Sequence, residues 1–233
     1  MSKIFSEEIV CFYNRLKSGN KFAFSKYADG EWMALKDQKG TNNEWVMGDS
    51  TDAYKLSKEL LWQSFTYKDE GYYIGISCPC CQGQHHYDML EQCKQASEHV
   101  TYANLFVNSN YTFFRKKIIP FFKDKAVHLI ANECADIDHL PFAVERFYPI
   151  QYNAWIHNLN LIDEISALDL NDKYVLFSAG PLGNILCHQL WSKNKNNTYI
   201  DIGSTIDPWT KANRFGRYYT DDSPYKNKVC IWS

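Results

Sequence analysis

A series of short apolar segments, each stopping at small or acidic residues before helical spacing takes over, constrains this chain more than anything else. Phe22-Ala23-Phe24-Ser25 leads into Lys26-Tyr27-Ala28-Asp29-Gly30-Glu31. Tyr174-Val175-Leu176-Phe177 leads into Ser178-Ala179-Gly180-Pro181-Leu182-Gly183, and Tyr199-Ile200-Asp201-Ile202 into Gly203-Ser204-Thr205-Ile206-Asp207-Pro208. Buried strands that alternate with helices build a mainly parallel sheet with helices on both faces. In such Rossmann-like α/β sheets, ligands bind just beyond the strand ends.

The rest of the chain extends the alternation. Helical spacing covers residues 4–17, and the spacing over 52–67 puts Leu56, Leu60, Leu61 and Phe65 on a buried face. Further helices are expected at 31–36, 87–99, 111–122, 140–145, 155–168 and 182–193. Strands are expected at 22–25, 72–76, 102–107, 126–131, 146–150, 174–177 and 199–202, with a loop at 37–43. The tail from Lys211 to Ser233 is expected to fold back over a sheet edge. With 233 residues and neither a repeat nor a low-complexity linker, the chain reads as one domain, residues 1–233.

Composition removes some function classes. A net charge of −2 provides no basic field for a polyanion, so nucleic acid is not an expected partner. No apolar run approaches the roughly 20 residues needed to span a bilayer, and the N-terminus lacks a signal-peptide pattern. The expectation is a soluble, cytoplasmic protein, in which Asn110-Tyr111-Thr112 and Asn196-Asn197-Thr198 match the glycosylation pattern by chance. In such a reducing compartment the 8 cysteines should mostly be thiols, not a disulfide framework. The aromatic share, 16%, is high, and core filling accounts for it more simply than sugar or base stacking.

Asp29-Gly30-Glu31 follows a strand and opens a helix. The glycine permits a sharp turn that lets both carboxylates face one side, and hard cations such as Mn²⁺ or Mg²⁺ take one or two carboxylates plus ligand phosphates. The same residues could instead serve the helix, Asp29 as its cap and Glu31 in its first turn. Ser178 to Gly183 joins a strand to a helix with Pro181 in the first turn, where backbone N–H groups can hold a phosphate oxygen. An ordinary tight turn would read the same way. Together the two turns suggest an enzyme that handles a nucleotide diphosphate through a metal.

These segments also carry a family resemblance. Ser25-Lys26-Tyr27-Ala28-Asp29-Gly30-Glu31 resembles the Arg-(Phe/Tyr)-Gly-Asp-Gly-Glu signature of glycosyltransferases with the GT-D fold. Phe177-Ser178-Ala179-Gly180-Pro181 resembles that family's strand ending in Gly-Pro. Tyr199-Ile200-Asp201-Ile202-Gly203-Ser204 resembles its later strand with Asp-(Ile/Val)-Gly. Ile206-Asp207-Pro208-Trp209, followed by Arg214 to Tyr218, resembles a variant that ends in an Arg-Tyr pair. Lys26 replaces the usual Arg and loses its planar fork; Ala28 replaces the usual Gly.

The resemblance implies a metal-dependent hexosyl- or pentosyltransferase that moves a sugar from a nucleotide-diphosphate sugar, a UDP-sugar above all, to a glycan or other hydroxyl acceptor, with inversion. Asp29 and Glu31 would hold the metal. Lys26, Tyr27, Gly30, Ser178, Gly180, Pro181, Gly183, Gly203, Ser204 and Arg217 would contact the donor. An inverting transfer needs a general base within reach of the acceptor hydroxyl. Asp207, its direction set by the following proline, is the first candidate, and Glu133, at another strand end, the second. Arg214 and Arg217 could neutralise the leaving diphosphate. His188, inside a helix, reads as packing.

Cys78-Pro79-Cys80-Cys81, with His85, His86 and Cys93 nearby, suggests zinc, but no second Cys or His pair stands at the usual spacing. A redox Cys-x-x-Cys and a packed or acceptor-lining loop remain open. Two rival functions follow from the residues. One is a Rossmann-like methyltransferase using the 178–183 turn; the other is a zinc-stabilised binding module.

Overall fold

The computed structural model describes residues 3–41, 44–211, 217, 219–220 and 226–232, with the side chains of residues 40 and 41 left out. The strands are β1 (Ala23–Tyr27), β2 (Gly40–Thr41), β3 (Val46–Met47), β4 (Tyr72–Ile76), β5 (Val100–Tyr102), β6 (Val127–Asn132), β7 (Val144–Ile150), β8 (Tyr174–Ser178) and β9 (Thr198–Asp201). Seven of them form one sheet in the order β5-β4-β1-β9-β8-β6-β7, with every pairing parallel. β2 and β3 form a small antiparallel hairpin. The fold is the expected α/β sheet.

Its strand order explains why motifs at opposite ends of the sequence can share a site. The chain runs outward from β1 through β4 to β5, crosses to β6 and β7, and returns inward through β8 to β9. The first and last strands therefore lie side by side, with Ala23 opposite Tyr199 and Phe24 opposite Ile200. Because successive side chains on a strand point to opposite faces, β1 feeds two cores. Ala23 and Tyr27 join Tyr54, Leu61 and Phe65 of the helix Asp52–Thr66 and Leu182 and Ile185 of the helix Pro181–Lys193. Phe24 joins Ile9, Phe12 and Leu16 of the helix Phe5–Lys17 on the other face.

Phe12 meets Phe22, Phe24 and Tyr73 edge-to-face, with ring centroids 5.5, 5.2 and 5.1 Å away. Here the aromatic excess is core, and truncating a ring so placed costs about 3–5 kcal/mol. His188 is also packing: it is 8% exposed and lies 4.4 Å from the Tyr67 ring.

Several elements differ from the sequence expectation. In the helix Asp52–Thr66, Leu56 is exposed, whereas Tyr54, Ser57, Leu61, Ser64 and Phe65 are buried. Ser64 can lie inside because its hydroxyl receives Tyr27 Oη at 2.6 Å and donates to the Asn184 carbonyl at 2.7 Å. The apolar run 102–107 leaves the sheet at Tyr102, where Leu105 N turns back to the Tyr102 carbonyl. The helix near 111–122 widens to a π-turn at Phe114–Ile118. Pro120 has no N–H to return to the preceding turn, and its ring crowds that carbonyl.

The expected helix over 155–168 is two short ones, Ala154–His157 and Leu161–Ser166. The expected helix over 140–145 is absent among the described residues; a 3₁₀ turn at Ile137–His139 precedes β7. The loop at 37–43 instead carries β2. In the tail, Ile231 bridges Ile4, and Trp232 packs 4.8 Å from Tyr102 of the edge strand β5, so this part does cover an edge. Among the described residues no helix is long and apolar enough to cross a membrane.

Candidate active site

The C-terminal ends of β1, β5, β6, β7, β8 and β9 open into one cleft of about 690 Å³. That size is within the range of small-ligand sites, about 300–1,000 Å³. Lys26, Asp29, Gly30, Glu31, Ser178, Gly180, Pro181, Gly203, Ser204, Asp207 and Arg217 all line it.

At the acidic turn, Ala28 is the N-cap of the helix Asp29–Leu35. Ala28 has no side-chain acceptor, and Glu31, three residues on, supplies one: its Oε2 accepts from Ala28 N at 3.0 Å. Glu31 is buried and Asp29 exposed. Glu31 therefore starts the helix and lines the cleft, and Asp29, expected as the cap, is instead the first residue of the helix.

Trp45, beside β3, covers both glycine turns. A Cβ on Gly30 would come within 2.8 Å of the Trp45 ring, and one on Gly180 within 3.1 Å of its Nε1. Gly180 has φ +54°, a conformation that glycine adopts without cost. Trp45 is 6% exposed and lies edge-on to Trp155, with centroids 6.0 Å apart. The two turns are also tied from below. Asn184, buried in the helix Pro181–Lys193, donates to Ser25 Oγ at 2.9 Å and to the Lys26 carbonyl at 2.7 Å.

Beneath the third turn lies Asp201, 1% exposed. Its Oδ1 accepts from Gly203 N at 3.0 Å, while no described donor reaches Oδ2. Burial pushes its carboxyl up to about 7, with the Lys26 ammonium opposing the rise and the Glu31 charge adding to it. Lys26 lies over Gly203: a Cβ there, at φ +52°, would be 2.3 Å from Lys26 Cε. Asp201, Lys26 and Glu31 thus form one electrostatic group at the meeting of β1 and β9.

Further along the segment after β9, Asp207 Oδ2 accepts from Arg217 Nε at 2.6 Å and also from Nη2, and it pairs with Lys211 at 3.0 Å. Lys211 reaches Glu44 at 3.0 Å as well. Asp207 therefore anchors two cations at the cleft edge. The Tyr219 hydroxyl, donating to the Ser204 carbonyl at 2.6 Å, holds the neighbouring tail.

Three expected site residues are not in the cleft. Tyr27 is fully buried, hydrogen-bonded to Ser64, because the strand's alternation points it into the core. Gly183 packs against Phe177 Cβ, and its N–H closes the first helical turn onto the Gly180 carbonyl at 2.8 Å. Glu133 is exposed at the end of β6 and receives Gln151 Nε2 at 3.4 Å; its neighbours Asn132 and Cys134 line the cleft instead. Arg214 and Tyr218 lie outside the described residues.

The sequence reading gave no role to Trp45, Asn184, Lys211, Glu44 or Asp201. For Asp201 a signal existed, an acid on the last residue of an apolar strand. Trp45, in a polar loop, carried none.

No family model matches the chain, and no curated protein does. Solved structures do. One, described as showing that "the highly conserved domain of unknown function 1792 has a distinct glycosyltransferase fold", superposes with a TM-score of 0.61 at 15% identity, covering 86% of this chain and 79% of that one. Another, described as a new glycosyltransferase of the same domain type from Streptococcus sanguinis, gives a TM-score of 0.60 at 14% identity, over 84% and 80%. The chain shares their fold.

Proposed function

We propose that this protein is a metal-dependent glycosyltransferase that takes its sugar from a nucleotide-diphosphate sugar, a UDP-sugar in the first instance. The observation that carries the reading is the convergence of the Asp29/Glu31 turn with the Gly180 and Gly203 turns around one cleft. The likeness to structures described as glycosyltransferases supports the reaction class.

The donor set fits a hard divalent cation: Asp29 and Glu31 offer carboxylate oxygens at one helix start, and Asp201 Oδ2 is buried with no described donor. Asp29 and Glu31 would hold Mn²⁺ or Mg²⁺, whose chemistry is to stabilise negative charge on a departing diphosphate. The protein's own groups do the remainder. The backbone of Ser178–Pro181 and Gly203–Ser204 forms the floor for phosphate oxygens. Lys26, Arg217 and Lys211 bring positive charge to the same space, where a developing oxyanion needs it. Trp45 holds the two glycine turns in register and presents an aromatic edge near the donor.

Asp207 is the proposed base for the acceptor hydroxyl, and Arg217 and Lys211 fix where its carboxylate stands. A single displacement assisted by one base inverts the anomeric centre, and this is the outcome we propose for a glycan acceptor.

The test is a screen of nucleotide sugars for hydrolysis and transfer, with and without Mn²⁺, on the wild type and on Asp29→Asn/Glu31→Gln. The double variant should stay folded, since Gln can still accept from Ala28 N, and should lose donor turnover by about 10²-fold or more, the scale of one lost transition-state contact. Undiminished turnover in that variant ends the proposal.

A further inference from the structure

Apart from the cleft, the structure gathers four cysteines from opposite ends of the chain. The sulfur atoms of Cys78, Cys80, Cys81 and Cys230 all lie within 4.8 Å of one another. Cys78 follows β4 and begins a tight turn in which Cys81 N and Gln82 N both donate to its carbonyl at 3.0 Å. That turn brings Cys80 and Cys81 back beside it. Cys230 arrives from the tail, beside Ile231, which bridges Ile4, and close to Trp232, which packs on Tyr102 and His86. Cys78 and Cys230 are buried, Cys81 is half-buried and Cys80 exposed.

The spacing suits one metal ion. Zinc–thiolate bonds of about 2.3 Å set tetrahedral sulfur–sulfur edges of roughly 3.8 Å. The observed limit of 4.8 Å is within a small side-chain adjustment of that edge. A disulfide needs about 2.05 Å, and the sulfur atoms of Cys78 and Cys80 stand 3.2 Å apart.

The surroundings suit thiolates too. Asn108 Nδ2 donates to Cys230 Sγ at 3.1 Å, Asn104 Nδ2 to Cys81 Sγ at 3.4 Å and Ile231 N to Cys80 Sγ at 3.4 Å. The Lys228 ammonium lies beside Cys81. Donors aimed at sulfur are how proteins support metal-bound thiolates, and four soft sulfur ligands in tetrahedral reach select zinc over harder cations. Of the residues that the sequence offered nearby, none of His85, His86 and Cys93 joins the four sulfur atoms. His86 Nδ1 faces the Ser77 carbonyl at 2.7 Å, and Cys93 ends the helix Gln84–Gln92.

We propose that Cys78, Cys80, Cys81 and Cys230 hold one structural zinc ion that staples the segment 226–232 to the end of β4. On binding, the four thiols release their protons to solvent, and the resulting site of net charge −2 is balanced by Lys228 and the three N–H donors. The missing second pair of the sequence reading is a single residue, Cys230, supplied by the fold. The staple also touches the cleft, because Asn104, which donates to Cys81, lines its wall.

Metal analysis of the full chain, purified without chelator, should find about one zinc per chain. Cys230→Ser and Cys78→Ser should each lose most of it, whereas Cys11→Ser, at an exposed cysteine outside the cluster, should keep it. Because a serine variant can fail to fold, the wild type is also reconstituted with Co²⁺. Thiolate-to-cobalt charge transfer together with tetrahedral d–d bands supports the site. The proposal is overturned if the wild type carries no zinc and gives no cobalt spectrum, if Cys230→Ser binds zinc as well as the wild type, or if intact mass reveals a disulfide within the cluster. None of these measurements reads sugar transfer, so the staple stands or falls apart from the proposed reaction.

Discussion

Replacing Asp201 by Asn tests the electrostatics at the join of β1 and β9. The Asp201 carboxyl goes from an ordinary 3.8 to about 7 in the folded chain, chiefly because it is buried. A raised folded value means that the unfolded chain gives up its proton first. The contribution to stability is complete below the unfolded value and is lost as pH rises through the folded one. Between about pH 5 and about pH 8 the wild type should therefore lose roughly 3 kcal/mol relative to Asp201→Asn, at 1.36 kcal/mol per unit up to the folded value.

Asn keeps an oxygen to accept from Gly203 N and carries no charge, so near pH 5 the two proteins should differ by only about 1 kcal/mol. Urea titrations at several pH values, without added divalent cation, measure the difference. In thermal melts the same loss corresponds to about 6–12 °C for a chain of this size. Parallel pH dependences in the two proteins would refute the claim that burial raises the Asp201 carboxyl. Such a result would also remove the electrostatic group assigned to Asp201, Lys26 and Glu31.

Three further outcomes are expected. Gly203→Ala puts a methyl group 2.3 Å from Lys26 Cε at φ +52°; it should cost about 1–3 kcal/mol and, in donor titrations, raise KM by displacing Lys26. Burial lowers His188 from 6.5 to about 4, so the unfolded chain takes up the proton first as pH falls. The wild type should then lose about 3 kcal/mol between those values while His188→Gln does not, as urea midpoints would reveal. Asp207→Asn should lower kcat and flatten the acid limb of the pH–rate profile if the carboxylate is the base; a raised KM with an unchanged profile would assign it to holding Arg217 and Lys211 alone.

What the sequence disclosed divides along physical lines. Strands β1, β8 and β9 were legible because each is a short apolar run closed by small or acidic residues, and a parallel sheet puts such closures at the ligand side. The legible chemistry was therefore backbone chemistry: Gly180 and Gly203 occupy positive φ, where glycine is at home, and Glu31 stands three residues after a helix start.

Contacts made by side chains from distant segments left no local trace. Trp45 lies in a polar loop, yet its ring closes on Gly30 and Gly180. Tyr27 follows Lys26 in the same motif, and the two-residue period of the strand sends it into the core and away from the cleft. Leu56 has the right spacing for a buried face, but the helix turns Ser64 inward, where Tyr27, Tyr72 and the Asn184 carbonyl satisfy it. The cysteine cluster follows the same rule: three members are adjacent in sequence, and the fourth, Cys230, can be assigned only once the tail is seen lying beside β5. A pattern confined to one segment announces itself, whereas a site whose members meet through topology has to be found in the fold.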